Sequence, residues 1–214
     1  DKPIIFNWEP QVRPFYRGEE ELPDGYQKQS VRLGTEWYIN ARMLVHESYL
    51  DTVIGPNQVG LLAWDKTLPI GNGRHGAMEA IMSVIDETGS QPIGTSQRGD
   101  CISETAMTFA LAGDLFEKMD WKQISTNLLD YYFYHSPAGE NEWVDPDHGA
   151  YGLTPWGISN YAWYRANYGD DNARVLLSTM VAAAINKTRQ WDETMMKILL
   201  AQLRTTGKNG FRGN

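Results

Sequence analysis

Asp145-Pro146-Asp147-His148-Gly149-Ala150-Tyr151-Gly152-Leu153-Thr154-Pro155-Trp156 places two carboxylates, a histidine, a tyrosine and a tryptophan in twelve residues, with Glu142 and Trp143 just before them. Such a mixture suits a binding loop better than a core. Asp147 is a candidate acid with His148 as its support, and Trp143, Tyr151 and Trp156 are candidate platforms for a sugar ring, whose C–H face stacks on π-systems. A structural reading stands beside each. Asp145-Pro146 is also a turn start that Asp147 caps, and a helix-borne Trp156 is also a core anchor. Asp-x-Asp beside His lacks the further ordered ligands of an oxygen cage, and no paired zinc ligands stand elsewhere at typical spacing, so no metal is expected.

A second pair is Asp100 and Glu104, four residues apart at the start of an expected helix and therefore on one face. Two carboxylates held close push one pKa up and leave the other ionised, as general acid/base work requires. Arg98 is placed to hold the ionised form. Equally, Asp100 suits an N-cap and Glu104 the positive end of a helix dipole. Gly71-Asn72-Gly73-Arg74-His75-Gly76 matches the spacing of a dinucleotide loop. Pro69 stands where a strand should precede it, and the chain lacks βαβ alternation, so no cofactor is expected. The glycines read instead as a tight turn from which Arg74 and His75 could reach a cleft. Tyr131, Tyr132 and His135 close a helix; they read as an aromatic helix end or as a Tyr/His acid–base pair.

The composition narrows the classes. The chain has 214 residues, 42% hydrophobic and 21% charged, with 8 Trp and 11 Tyr. That is globular composition. A formal net charge of −8 without a basic run excludes an evident nucleic-acid surface. The single cysteine, Cys101, allows no intrachain disulfide, and no apolar run is long enough to span a bilayer. A start at Asp1 rather than Met reads as a processed or excised product, with a periplasmic, cell-surface or secreted location favoured.

The elements that must position these groups are helices. Residues 1–28, with four prolines, read as an irregular arm. The spacing predicts a helix from about Ser30 to Glu47, with an apolar face wide enough for burial on more than one side. A shorter helix is expected over 74–86 inside the long 48–99 connection. Further helices are expected from Asp100 to Phe116 and from Asp120 to Tyr134, antiparallel across a short link. Thr154 with Pro155 should open a helix ending at Gly169. Helices from Asp170 and from Thr188 to Thr205 follow, the first with Ala173, Leu177, Met180, Val181 and Ala184 inward. The second should bury Met196, Leu199, Leu200 and Leu203. No strand signal is strong, so the expected class is all-α. The long connections 48–99 and 135–154 should emerge on one side of the array.

Helical hairpins with Trp- and Tyr-rich loops on an acidic chain resemble the six-hairpin glycosidases. Gly99-Asp100-Cys101-Ile102-Ser103-Glu104-Thr105-Ala106, Tyr168-Gly169-Asp170-Asp171-Asn172-Ala173 and Leu203-Arg204-Thr205-Thr206-Gly207 look like parts of bacterial members. The resemblance implies antiparallel hairpins forming part of an (α/α)6 toroid over 29–214. A full ring of twelve helices at ~15 residues each, with loops, needs well over roughly 300 residues. The ring would therefore be incomplete here, and a partner would be the remainder of the toroid or an upstream domain. It also implies a glycoside hydrolase acting on an oligo- or polysaccharide. Asp100 or Glu104 would serve as one catalytic carboxylate and Asp147 as the other, while Arg98, His75, His148, Trp143, Tyr151 and Trp156 contact substrate. A polysaccharide lyase on the same fold and a non-catalytic glycan- or protein-binding module are the alternatives.

Overall fold

The computed structural model describes residues 16–53, 60–87 and 89–211. The first fifteen residues of the expected arm lie outside this range. The described part of the arm gives way to helix α1 at Tyr26–Asn40, entered through Gly25 in a left-handed conformation rather than through Ser30. The helix stops early because Arg42 turns left-handed at φ 62°. Its guanidinium then donates to the carbonyls of Ile39, Asn40, Lys66 and Leu68, tying α1 to the following connection. Leu44 and Val45, expected inside the helix, are buried extended residues instead. Within α1 only Thr35 is buried; Val31, Leu33 and Trp37 stay exposed, so the expected two-sided burial is not found.

After a short helix α2 (Leu50–Val53), the connection contains three two-residue strands, β1 (Leu61–Leu62), β2 (Ala80–Ile81) and β3 (Ile93–Gly94). They form an antiparallel sheet in the order β1-β3-β2. The helix expected over 74–86 is absent. Gly73 and Gly76 both sit at positive φ, and the backbone beyond them runs extended against 43–45 through Val45 N–H to Gly76 C=O and Met78 N–H to Met43 C=O. Ala77 and Met78 are buried by this pairing, so an apolar run that fits either period is resolved by its partners.

The helical body is α3 (Gly99–Leu115), α4 (Met119–Asp130), α6 (Gly169–Asn186) and α7 (Asp192–Thr205), with a one-turn helix α5 (Tyr161–Tyr164). α4 continues into a π-helical turn at Tyr131–His135. α3 and α4 form an antiparallel hairpin, as do α6 and α7, and α3 packs along α6. The first turns of α3 and α6 meet at Arg98, so these two helices run parallel. The core between them holds Ile102, Phe109, Leu128, Tyr132, Val175 and Trp191. Both long connections, 48–99 and 135–154, deliver their closing residues, Gln97 and Thr154, to the end where α3 and α6 begin. The protein is mostly helical with one small sheet, and no helix among the described residues is long and apolar enough to cross a membrane.

Two further expectations are corrected. The helix expected from Thr154 to Gly169 shrinks to α5, because the start signal is used elsewhere. The Thr154 N–H and hydroxyl both donate to Asn172 Oδ1, and Asn172 Nδ2 donates back to the Thr154 carbonyl. The stretch then pairs with 97–98: Ile158 N–H reaches the Gln97 carbonyl, and Gln97 N–H reaches Ser159 Oγ. In α7, Ile198 and Ala201 are the buried residues, whereas Met196, Leu199, Leu200 and Leu203 are 41–64% exposed. Leu177 and Met180 of α6 are exposed as well. The outer faces of α6 and α7 thus carry an apolar stripe that no described residue covers, of the kind that marks an interaction surface.

Close approach at the head of α3 depends on glycine. A Cβ on Gly99 would run into the hydroxyl of Tyr132, which is fully buried and donates to the Pro155 carbonyl. Gly99→Ala is expected to cost about 1–3 kcal/mol through this overpacking. Urea denaturation reads that cost as a lower midpoint with an unchanged slope.

Candidate functional site

Arg98 is the residue on which three chain segments converge. Its Nη2 donates to Asp100 Oδ2 at 2.8 Å and to Asp171 Oδ1 at 2.9 Å, and its Nη1 donates to Glu79 Oε1 at 3.2 Å. Each partner arrives for a local reason. Asp100 and Asp171 sit in the first turns of α3 and α6, one and two residues after the Gly that starts each helix. Glu79 is set by the extended chain before β2, where its N–H donates to the Ser96 carbonyl and its Oε2 accepts from Ser96 Oγ. Side-chain exposure is 3% for Asp100, 8% for Asp171, 23% for Arg98 and 24% for Glu79. The cluster therefore has a buried floor of two aspartates and a rim of Arg98 and Glu79.

An aromatic wall stands beside it. The Arg98 guanidinium lies 5.2 Å from the centre of the Trp156 ring, within cation–π range. Trp156 packs on Trp163 at 4.4 Å and edge-on against Tyr168 at 5.8 Å, and Tyr168 is half exposed. The Arg98–Gly157 backbone bridge holds Trp156 in this place.

Burial, reinforced by the neighbouring Asp100 carboxyl, raises the Asp171 carboxyl above its ordinary value, and Arg98 opposes the shift without cancelling it. Burial likewise pushes the Cys101 thiol up to about 12, so at neutral pH it is not a thiolate nucleophile. The folded protein holds the Asp171 proton above the ordinary 3.8. The stabilisation from this group is thus complete below that value and is lost as pH rises through the raised one. The melting temperature of the wild type relative to Asp171→Asn should therefore fall as pH rises from about 4 to 7. A difference that stays flat or grows would contradict the raised value.

The structure brings Arg98, Asp100 and Trp156 together and places the other expected residues elsewhere. Glu104 lies one turn beyond Asp100 and faces Arg174 at 3.7 Å on an open surface. Asp147 is exposed, its N–H donating to Asp145 Oδ1 in a local turn, and His148 Nδ1 accepts from the Ala150 N–H two residues on. Arg204 fastens this loop to the end of α7 through the Gly149 and Tyr151 carbonyls. Trp143 is buried against Leu153 and Ala201. Trp143 and Tyr151 line a separate pocket of about 310 Å³ that also holds Lys197 but, among the described residues, no carboxylate. Without a carboxyl group that pocket lacks the acid–base chemistry the Arg98 cluster offers. His75 lies in another cavity with Arg74 and His135.

Glu79 and Asp171 are the members of the cluster that the sequence did not single out. Asp171 had a signal, since Arg98-Gly99-Asp100 and Tyr168-Gly169-Asp170-Asp171 both start a helix with Gly-Asp. Glu79 had none, because its expected helix would have aimed it differently. Among the described residues no group of three or more His, Cys, Asp or Glu side chains is placed to hold a metal ion. No family model matches the chain, and neither a curated protein nor a solved structure matches it.

Proposed function

We propose that the protein is a carbohydrate-active enzyme, a glycoside hydrolase, working at the Arg98 cluster. The observation that carries this reading is a pair of environments around one guanidinium. Asp171 is buried, with its carboxyl raised, while Glu79 stands at the rim, and a wall of Trp156, Trp163 and Tyr168 adjoins them. Titratable groups set apart in this way are what acid–base assignment requires. Asp171 donates its proton to the glycosidic oxygen as the bond to the anomeric carbon breaks. Glu79 either takes the proton of the incoming water, or attacks the anomeric carbon to form an ester that water then hydrolyses while the Asp171 carboxylate takes that water's proton. Arg98 and Asp100 position both groups. A proton on Asp171 also offers a donor to Asp100 Oδ1, which is buried without a hydrogen-bond partner. The pair initially expected, Asp100 or Glu104 with Asp147, is replaced here by Asp171 with Glu79.

Incubation with a panel of neutral and acidic oligosaccharides tests the reading. New reducing ends without a new ultraviolet-absorbing double bond are expected. An unsaturated product would move the assignment to a lyase, and no product from any member would remove the enzymatic reading. The near-complete burial of Asp100 and Asp171 favours a second reading, in which the cluster only fastens α3 to α6 and the chain is a binding module.

The same proposal takes the two hairpins as neighbouring segments of an α/α toroid. Parallel α3 and α6, with the long connections arriving at their starting ends, support this, and the exposed stripe on α6 and α7 supports further hairpins packing there. A hydrophobic dye should bind the 214-residue chain, and less to a variant carrying Leu200→Glu and Leu203→Glu. Equal fluorescence would count against an open apolar edge.

A further inference from the structure

A cavity of about 510 Å³ is bounded by Arg74, His75, Asn127, Asp130, Tyr131 and His135. Among the described residues, neither the Arg74 guanidinium nor the rings of His75 and His135 make a hydrogen bond or ion pair. This is unusual in a chain of net charge −8, where Arg42, Arg98 and Arg189 are all engaged. The back wall is built. Tyr131 donates through its hydroxyl to Gln97 Oε1 at 2.8 Å, and Gln97 Nε2 donates to the His75 carbonyl at 2.9 Å. Asn127 Nδ2 donates to the Asn72 carbonyl, which fixes the loop carrying Arg74. Asp130, the one carboxylate among the described residues of the lining, has its Oδ1 occupied by Gln190 Nε2 and Trp191 Nε1.

Three unspent cation-forming side chains around one opening complement an anion, and the Arg fork matches a carboxylate in particular. The volume falls in the range of small-molecule sites and is larger than a carboxylate alone fills. Tyr131 adds a ring edge for the rest of the ligand. We propose that this cavity binds the carboxylate of a ring-sized molecule and, resting on the carbohydrate reading above, that the molecule is a uronic-acid sugar.

Binding tightens as pH falls, because the His75 ring gains charge. Burial holds the His75 ring below its ordinary value, with Glu47 opposing and His46 and Arg74 adding to the shift. Asp130 and Glu47 weaken the positive field and set how much of it the ligand meets.

The test is a titration of the whole chain with glucuronate, glucose and inorganic phosphate, followed by the NMR signals of the histidine rings. Glucuronate should shift the His75 and His135 signals and bind a few-fold tighter near pH 5 than near pH 8. Glucose should not bind. Arg74→Gln and His135→Gln should each weaken glucuronate by about fivefold or more. Glucose binding as well as glucuronate, phosphate binding without glucuronate, no binding at all, or undiminished binding in both variants would each overturn the proposal. Glucuronate binding with no hydrolysis of any oligosaccharide would leave this cavity standing and remove only the hydrolase reading.

Discussion

Replacing Arg98 with methionine should lower the melting temperature by roughly 6–20 °C. Arg98 is the cation that faces both buried aspartates at the heads of α3 and α6, and it faces Glu79 as well. Breaking a buried pair from one side costs about 3–5 kcal/mol, because the remaining charge must be neutralised or exposed. In this protein two carboxylates would be stranded together. The loss should be larger at neutral pH than in acid, where the raised Asp171 carboxyl is protonated. Arg98→Lys keeps the charge but not the fork that serves three carboxylates, so its melting temperature should fall between the two. If Arg98→Met melts within a degree or two of the wild type, the cluster does not join the two helices.

Asp171→Asn is expected to cut turnover by about 10²–10⁴, the usual contribution of a positioned proton donor. The amide still accepts from Arg98 Nη2, so the junction of α3 and α6 should survive. Glu79→Gln should lose a comparable factor, and circular dichroism should show native helix content in both variants. Asp147→Asn should leave the rate unchanged, since Asp147 is exposed in a turn held by Asp145. Wild-type rates in Asp171→Asn, or losses matched by unfolding, would return the cluster to a structural role.

Much of the helical body was legible in the sequence. α3, α4, α6 and α7 follow helical spacing, and their bounds lie within a few residues of those expected. What local pattern could not reveal was cover. Leu199, Leu200 and Leu203 mark a helix by their spacing, yet the spacing does not say whether anything packs on them. Other misreadings have partners far away in sequence. Thr154-Pro155 is a sound helix start, but Asn172, 18 residues on, takes the Thr154 hydroxyl and N–H. Ala77–Ile81 has apolar residues that suit either period, and backbone pairing with 43–45 and β3 decides for extended chain. The site divides in the same way. Arg98 and Asp100 are two residues apart and could be read together. Asp171 lies 73 residues from Arg98 and Glu79 lies 19, and only the parallel packing of α3 and α6 and the path into β2 bring them in.

The central claim is that Asp171 delivers a proton to a leaving oxygen. The direct measurement compares wild type and Asp171→Asn on two substrates of the same sugar, an oligosaccharide and a dinitrophenyl glycoside. The aryl leaving group departs without protonation, so it does not need the acid. The variant should lose about 10²–10⁴ in rate on the oligosaccharide and most of that loss should vanish on the aryl glycoside. Equal losses on both substrates, or no loss on either, would contradict a proton-donating Asp171.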